Sequence, residues 1–283
     1  MPVREGAIES DGAALHYVDW GGNGPPLVLI HATGFLAALW RPIAERLTPS
    51  FRVVAMDQRG HGDSDKPATG YSFETFSDDL QRLIDGLQLE RPIAAGHSSG
   101  GTTIVAHAAR HPGVISRAIL IEPILPRPEW FAEAPPGGRT AFSLADGARK
   151  RRSVWPSRDE LYEAYRTRDT FKTWREDVLR LYVEQGTFDR EDGQIELKCP
   201  PECEAMVFEA TARVDTWEML PQLQCPTLLL WGAESHLHAR GLAASADAAI
   251  PNGRTVIVDG TSHFLPQERP DEIVRLVEGF LAD

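Results

Sequence analysis

Short apolar runs bounded by turn residues alternate with amphipathic helical patterns along most of the chain. Several runs are apolar without alternation, as expected of strands that are buried on both faces of a sheet. The predicted strands cover residues 13–20, 26–31, 52–57, 91–97, 115–123, 225–232 and 254–261. Helical spacing appears at 72–87, 99–111 and 270–283. This alternation predicts the α/β class, with a largely parallel sheet and helices on both faces.

One long interval, residues 125–222, interrupts this alternation. It contains no convincing buried strand, but it has helical stretches and many aromatic residues. We therefore predict a core made of residues 1–124 and 223–283, with 125–222 inserted as a helical cap, or lid. The cap would lie over the carboxyl edge of the sheet, where open α/β sheets bind ligands. Most of its aromatic side chains are expected to pack together, and a minority, including Trp130, to line a substrate pocket.

Composition excludes several partners. The 283-residue chain has a formal net charge of −12, which argues against binding to nucleic acid. A hydrophobic share of 42% with 25% charged residues is typical of a soluble globular protein. No run resembles a signal peptide or a membrane span, so we expect a cytoplasmic protein without a membrane partner. Three cysteines do not indicate a disulfide framework, and the oligomeric state does not follow from the sequence.

The sequence Gly-His-Ser-Ser-Gly at 96–100 predicts a nucleophile. It fits the pattern G-x-S-x-G in only one frame, which selects Ser98. A nucleophile on a sharp strand-to-helix turn needs small residues two positions before and after it, and here a strand pattern precedes the motif and a helical pattern follows it. The first turn of that helix would also point N–H groups at a developing oxyanion. The alternative is a merely structural tight turn.

Among nine histidines, His263 has the position expected of a general base. It lies between the last predicted strand and the last helix, from where an imidazole can reach Ser98. The pairs His236/His238 and Cys199/Cys203 are too sparse to indicate a metal site. We expect no metal or organic cofactor.

Four segments carry a resemblance to a known family. They are "HATGF" at 31–35, "DQRGHGDS" at 57–64, "GHSSGG" at 96–101 and "DGTSHFLPQERP" at 259–270. With them the sequence resembles the α/β-hydrolases of the serine type over nearly the whole predicted sheet. The resemblance implies an eight-stranded, mostly parallel sheet and a catalytic triad in the order nucleophile, acid, histidine.

The resemblance also implies an oxyanion hole and part of a pocket. Its donors would be the backbone amides of Ser99 and Thr33, with Ala32 as the alternative to Thr33. Phe35 and Trp40 would line or wall the substrate pocket.

The triad acid is open between two glutamates. In most of the family an aspartate follows the strand that is 225–232 here, but this sequence has Ser235 in that place, which cannot carry the charge. Glu234 is one residue away. Glu122 ends the strand after the nucleophile strand, where one group of haloalkane dehalogenases and the fungal zearalenone lactonases carry a glutamate. We favour Glu122 and keep Glu234 as the alternative.

Together these features predict a serine hydrolase. It would cleave a small-molecule carboxylic ester or lactone through an acyl-enzyme on Ser98. Haloalkane dehalogenases and epoxide hydrolases of this fold use aspartate at that position, which disfavours both reactions. The alternatives are a C–C bond hydrolase, a thioesterase, or a ligand-binding receptor homologue with little turnover.

Overall fold

The computed structural model describes residues 2–126, 140–238 and 241–282, and its strands form two sheets. In chain order the strands are β1 (Arg4–Ser10), β2 (Ala13–Gly21), β3 (Pro26–Ile30), β4 (Arg52–Met56), β5 (Ile93–His97), β6 (Arg117–Ile121), β7 (Val154–Trp155), β8 (Thr187–Asp189), β9 (Ile195–Leu197), β10 (Thr227–Gly232) and β11 (Gly253–Val258). The main sheet has eight strands in the order β1-β2-β4-β3-β5-β6-β10-β11. Strand β2 is antiparallel to β1 and β4, and every other neighbouring pair is parallel. The predicted α/β class is confirmed.

Helices cover both faces of this sheet. In chain order they are α1 (Arg41–Leu47), α2 (Phe73–Gly86), α3 (Ser99–Arg110), α4 (Ala141–Arg149), α5 (Arg158–Tyr165), α6 (Glu176–Gln185), α7 (Pro201–Thr211), α8 (Thr216–Met219), α9 (Leu242–Ala249), α10 (Leu265–Glu268) and α11 (Pro270–Ala282). Helices α2, α3 and α9 share one apolar cluster with the sheet, and α1 and α11 share the other. Within the described ranges, none of the helices has both the length and the apolar character that a bilayer crossing requires.

Two parts of the architecture differ from the sequence prediction. Strand β1 is an edge strand whose side chains are mostly exposed, so it leaves no apolar run to detect. The insertion between β6 and β10 also contains a small sheet, β7-β9-β8, where only helices were predicted. Its strands have two or three residues, which is too short for an alternating pattern to be recognised.

Most of the described aromatic residues of the insertion pack together, as expected. Trp155, Tyr165 and Tyr182 are buried in one apolar cluster that also contains Phe35 of the core. Phe142 is largely exposed. The insertion is thus packed against the part of the chain that follows β3, at the carboxyl edge of the main sheet.

Three histidines of the core are completely buried and neutral. Burial lowers the pKa of His61 and of His107 to about 3, and the pKa of His97 well below its ordinary value of 6.5. In the unfolded chain each imidazole binds a proton near pH 6.5, whereas in the folded chain it does not. The unfolded state therefore gains protons first on acidification, and stability falls as the pH falls below about 6.5.

His107 offers a test of this dependence of stability on pH. Its Nε2 atom lies 3.0 Å from Oε1 of Gln81, and the side-chain amide of a glutamine can replace the imidazole N–H as the donor. Between pH 6 and pH 4, His107→Gln should lower the slope of the unfolding free energy against pH by about 1.4 kcal/mol per unit. Urea unfolding of both proteins at several pH values measures the two slopes. Equal slopes would show that His107 is not held neutral.

Candidate active site

Ser98 occupies the turn between β5 and α3 in a conformation that non-glycine residues rarely adopt. Its φ is 55° and its ψ is −118°. The turn is held from the adjacent strand, because the amide of Ser98 donates to the carbonyl of Ile121 at 2.9 Å. Such a conformation costs about 1–3 kcal/mol and persists only where the surrounding structure enforces it.

The two glycines of the motif are required by close backbone contacts. A Cβ atom on Gly96 would lie 2.4 Å from the carbonyl of Gly100. A Cβ atom on Gly100 would lie 2.3 Å from the carbonyl oxygen of Ile30, at the end of β3. Helix α3 therefore starts directly against the strands, which brings its first amides to the carboxyl edge of the sheet.

His263 lies between Ser98 and Glu122. Its Nε2 atom is 3.1 Å from the Ser98 Oγ, and its Nδ1 atom is 3.1 Å from Oε2 of Glu122. The Nε2–H of His97 donates to the backbone carbonyl of His263 at 2.8 Å. Because burial lowers the pKa of His97, this second imidazole is neutral and positions the His263 loop without adding charge.

The carboxylate of Glu122 is completely buried and accepts hydrogen bonds at both oxygens. Oε1 accepts the amide of Gly232 at 2.6 Å, and Oε2 accepts the hydroxyl of Ser235 at 2.6 Å as well as facing His263. The serine that stands in the expected place of the acid thus binds the carboxylate instead. Glu234 is exposed, and no contact of its carboxylate with His263 is found in the described part of the chain. The structure brings Glu122, rather than Glu234, to the imidazole.

The loop after β3 is a tight turn from Ala32 to Phe35. The amide of Phe35 donates to the carbonyl of Ala32 at 3.1 Å, and Gly34 has a φ of 81°, as this type of turn requires. The Nδ1–H of His31 donates to the same carbonyl at 2.8 Å. Because this carbonyl and the Thr33 N–H belong to one planar peptide unit, the two bonds fix where the Thr33 N–H points.

His31 is held neutral in the tautomer that this bond needs. Its Nε2 accepts the amide of Gln58 at 3.0 Å, so the proton must be on Nδ1. Burial lowers the pKa of His31, which favours this neutral form. His31 directly precedes this loop in the sequence, but no sequence pattern indicates which carbonyl its side chain binds.

The three predicted pocket residues differ in their surroundings. Phe35 is buried beside the site, with its ring 6.2 Å from that of His97 and 5.1 Å from that of Trp174. Trp40 is 3% exposed and packs in the apolar cluster that also contains residues of α1 and α11, and its place in the pocket wall stays a prediction. Trp130 lies outside the described residues. The turn Ala37–Trp40 directs the tryptophan inward, toward α1.

One group of side chains in the described ranges, which does not include a triad residue, has the spacing of a metal site. The potential ligand atoms of His16, Asp57 and Asp63 lie within 4.8 Å of one another. The oxygens of Asp57 already accept the amide of Ala37 at 2.6 Å, the amide of Asp63 at 3.0 Å and a hydrogen bond with His16 at 2.8 Å. This group therefore has a structural explanation as a brace beneath the loop that follows β3.

The chain belongs to the alpha/beta hydrolase family, whose sequence profile matches residues 27–276. The fold and the Ser-His-Glu geometry described above agree with that assignment.

The relatives of this chain catalyse different reactions. It is 26% identical to 2-(acetamidomethylene)succinate hydrolase of Mesorhizobium japonicum over 92% of this chain and 89% of that one. It is 28% identical to a non-heme chloroperoxidase of Kitasatospora aureofaciens over 93% and 92% of the two chains. The crystal structure of the enol-lactonase of Burkholderia xenovorans has a TM-score of 0.77 and 27% identity, covering 98% of this chain and all of that one. Membership in the family therefore supports an enzyme but does not select one reaction.

Substitution of Gly100 by alanine should distort the turn of Ser98, whereas substitution of Gly147 by alanine should not. Gly100→Ala should lower the unfolding free energy by about 2 kcal/mol or more, because the new methyl group meets the backbone of β3. Gly147 lies in α4 with no atom within 4 Å of its Cβ position, so Gly147→Ala should raise stability by about 0.5–1 kcal/mol. Urea unfolding measures both. Similar changes in the two variants would contradict the close contact at Gly100.

Proposed function

We propose that this protein is a serine hydrolase that cleaves a small-molecule carboxylic ester or lactone through an acyl-enzyme on Ser98. In this proposal His263 is the general base and Glu122 the triad acid. The observation that carries it is the unbroken path from the Ser98 Oγ through both nitrogens of His263 to Glu122, with 3.1 Å at each step. Residues 125–222 would form the cap over this site.

The reaction follows from these positions. His263 Nε2 takes the hydroxyl proton of Ser98 while the Ser98 Oγ attacks the carbonyl carbon of the substrate. The carbonyl oxygen becomes an oxyanion, which the amides of Thr33 and Ser99 would stabilise. The C–O bond then breaks, His263 returns the proton to the leaving alcohol, and the acyl group stays on Ser98. Water, deprotonated by His263, then attacks the acyl-enzyme. The bond between the acyl carbon and the Ser98 Oγ breaks, His263 returns the proton to the Ser98 Oγ, and the acid is released.

The surroundings of Glu122 suit a group that orients an imidazole. The Gly232 amide and the Ser235 hydroxyl hold the two carboxylate oxygens, so the side chain cannot rotate away from His263. A fixed carboxylate keeps the His263 proton on Nδ1 and stabilises the imidazolium that forms when Ser98 loses its proton.

A second candidate substrate comes from a relative. The similarity to 2-(acetamidomethylene)succinate hydrolase extends over nearly the whole of both chains, and the same nucleophile chemistry applies to a carbonyl that carries a nitrogen leaving group. Hydrolysis of a thioester or of a C–C bond would also depend on Ser98 and on its activation by His263. A receptor homologue would bind its ligand without turnover.

The test is hydrolysis by the wild type and by two variants. The substrates are p-nitrophenyl esters of short and medium chain length, a γ-lactone and 2-(acetamidomethylene)succinate. Because the triad acts as a unit, Ser98→Ala and His263→Ala should each lower kcat by about 10³-fold or more. Labelling of the wild type by an alkyl fluorophosphonate, absent in Ser98→Ala, identifies the nucleophile directly. Full turnover by Ser98→Ala would overturn the proposal, and binding without steady-state release would favour the receptor.

The identity of the acid is tested by a matched pair of isosteric changes. Glu122→Gln should lower kcat by about 10²- to 10⁴-fold, because its amide group favours the wrong tautomer of His263. Glu234→Gln should leave kcat nearly unchanged, since that side chain is exposed. Both rates are measured on the best ester from the first experiment. A larger loss in Glu234→Gln would move the acid to that position.

A further inference from the structure

The cap sequence contacts the turn of residues 32–35 through one buried hydroxyl group. Tyr182 on α6 is 4% exposed, and its phenol O–H donates to the carbonyl of Gly34 at 2.9 Å. Burial raises the pKa of Tyr182, so the phenol is protonated and able to donate. Within the described ranges no other donor contacts this carbonyl. The Tyr182 hydroxyl is therefore the protein group that satisfies it.

This carbonyl belongs to the peptide unit that closes the turn. Gly34 supplies the positive φ of the turn, and a glycine at such a position can rotate with little steric resistance. Rotation of the Gly34–Phe35 unit would break the bond from the Phe35 amide to the Ala32 carbonyl. That bond helps to fix the peptide unit that carries the Thr33 N–H, so a donor on Gly34 restrains Thr33 through the turn.

The ring of Tyr182 restrains the same turn by packing. It meets the ring of Phe35 at a centroid distance of 5.5 Å and an angle of 69°, and Trp174 meets Phe35 edge-on at 5.1 Å. The turn also lies against α7, because a Cβ atom on Gly34 would be 2.9 Å from Oε1 of Glu204. Two helices of the cap sequence, α6 and α7, thus contact the turn.

The segment that carries Tyr182 is itself attached to the loop of His263. The amide of Arg175 donates to the carbonyl of Gln267 at 3.1 Å, and the hydroxyl of Thr173 donates to Glu268. Glu268 also accepts the amide of Ser262, the neighbour of His263, at 2.8 Å. One stretch of the cap sequence, residues 173–182, therefore contacts both the turn of Thr33 and the loop of the histidine.

We propose that Tyr182 is a positioning residue, which holds the Thr33 amide where an oxyanion forms. The inference rests on the proposed function, in which Thr33 is an oxyanion donor. Tyr182 acts through Gly34 and the turn and does not touch the reacting atoms. Its loss should weaken binding of the transition state more than binding of the ground-state substrate.

Tyr182→Phe removes the hydroxyl group and keeps the ring. We expect kcat for the best ester to fall about 5- to 50-fold, with KM within about twofold of the wild type. A trifluoromethyl ketone, which forms a tetrahedral oxyanion adduct with a serine, should bind more weakly by a factor similar to the fall in kcat. The alcohol product, which carries no carbonyl oxygen and forms no oxyanion, should bind as before. Replacement of Tyr182 by 4-aminophenylalanine, which keeps an N–H donor, should restore most of kcat.

Tyr165→Phe is the matched control. Tyr165 is 1% exposed, belongs to the same aromatic cluster and stacks on Phe171 at 4.5 Å, but it makes no contact with the turn of Gly34 in the described part of the chain. Its substitution should leave kcat and binding of the trifluoromethyl ketone nearly unchanged. Thermal unfolding of both variants measures how much the loss of a buried hydroxyl group lowers the stability of the fold.

The outcomes separate this inference from the proposed function. A kcat that falls equally in both tyrosine variants, or unaltered binding of the ketone in Tyr182→Phe, would overturn the positioning role. The same holds for an inactive Tyr182→Phe that 4-aminophenylalanine does not rescue. Full kcat in Tyr182→Phe alongside an inactive Ser98→Ala would overturn only the role of Tyr182. Full activity in Ser98→Ala would overturn the proposed function.

Discussion

A fully buried carboxylate organises the candidate site. Glu122 has no exposed surface, and a charge removed from water must be met by donors or it destabilises the fold. Its donors come from the end of β10 at Gly232, from the following turn at Ser235, and from the histidine loop after β11. The chain segments that follow β6, β10 and β11 are far apart in sequence, and the need to satisfy this one side chain holds them together.

The parallel sheet makes this convergence possible. Strands β5, β6, β10 and β11 end at the same edge, and Ser98, Glu122 and His263 all follow the ends of these strands. Both Ser98 and Glu122 have a positive φ, with values of 55° and 49°, so the chain turns sharply at adjacent strand ends. The buried strands beneath them supply the packing that offsets this local strain. Rigidity of the sheet is thus what keeps the short hydrogen-bonded path aligned.

Much of the fold and part of the site could be predicted because some constraints are local in sequence. The apolar runs mark the buried strands, and the two glycines around Ser98 reflect steric contacts that any such turn must avoid. The acid was less certain, since any loop at the same edge could supply it. Glu234 and Ser235 are neighbours, yet one is exposed and the other is buried against Glu122. The direction of the turn decides which of the two side chains faces Glu122, and no pattern in the sequence predicts that direction.

The differences from the predicted architecture have a similar origin. Trp40 follows the "HATGF" turn closely, and a single turn of helix brings its ring into the core cluster of α1. The polar edge strand β1 and the two- and three-residue strands of the insertion gain their structure from pairing with other segments, not from their own composition. Sequence patterns therefore identify what is buried on a regular element more reliably than where an irregular segment points.

Relatives with this fold differ in reaction, so the framework of the sheet cannot by itself determine the substrate. In this chain the inserted sequence contacts two loops of the candidate site. It binds the turn of Thr33 through Tyr182 and the loop of His263 through Glu268. If that part of the insertion moved as a free lid, it would break the buried hydrogen bond to Gly34 and the half-buried one to Glu268. It would also separate the packed rings of Phe35 and Trp174. The stretch 173–182 is therefore better described as a fixed part of the site, on which the geometry of both loops depends.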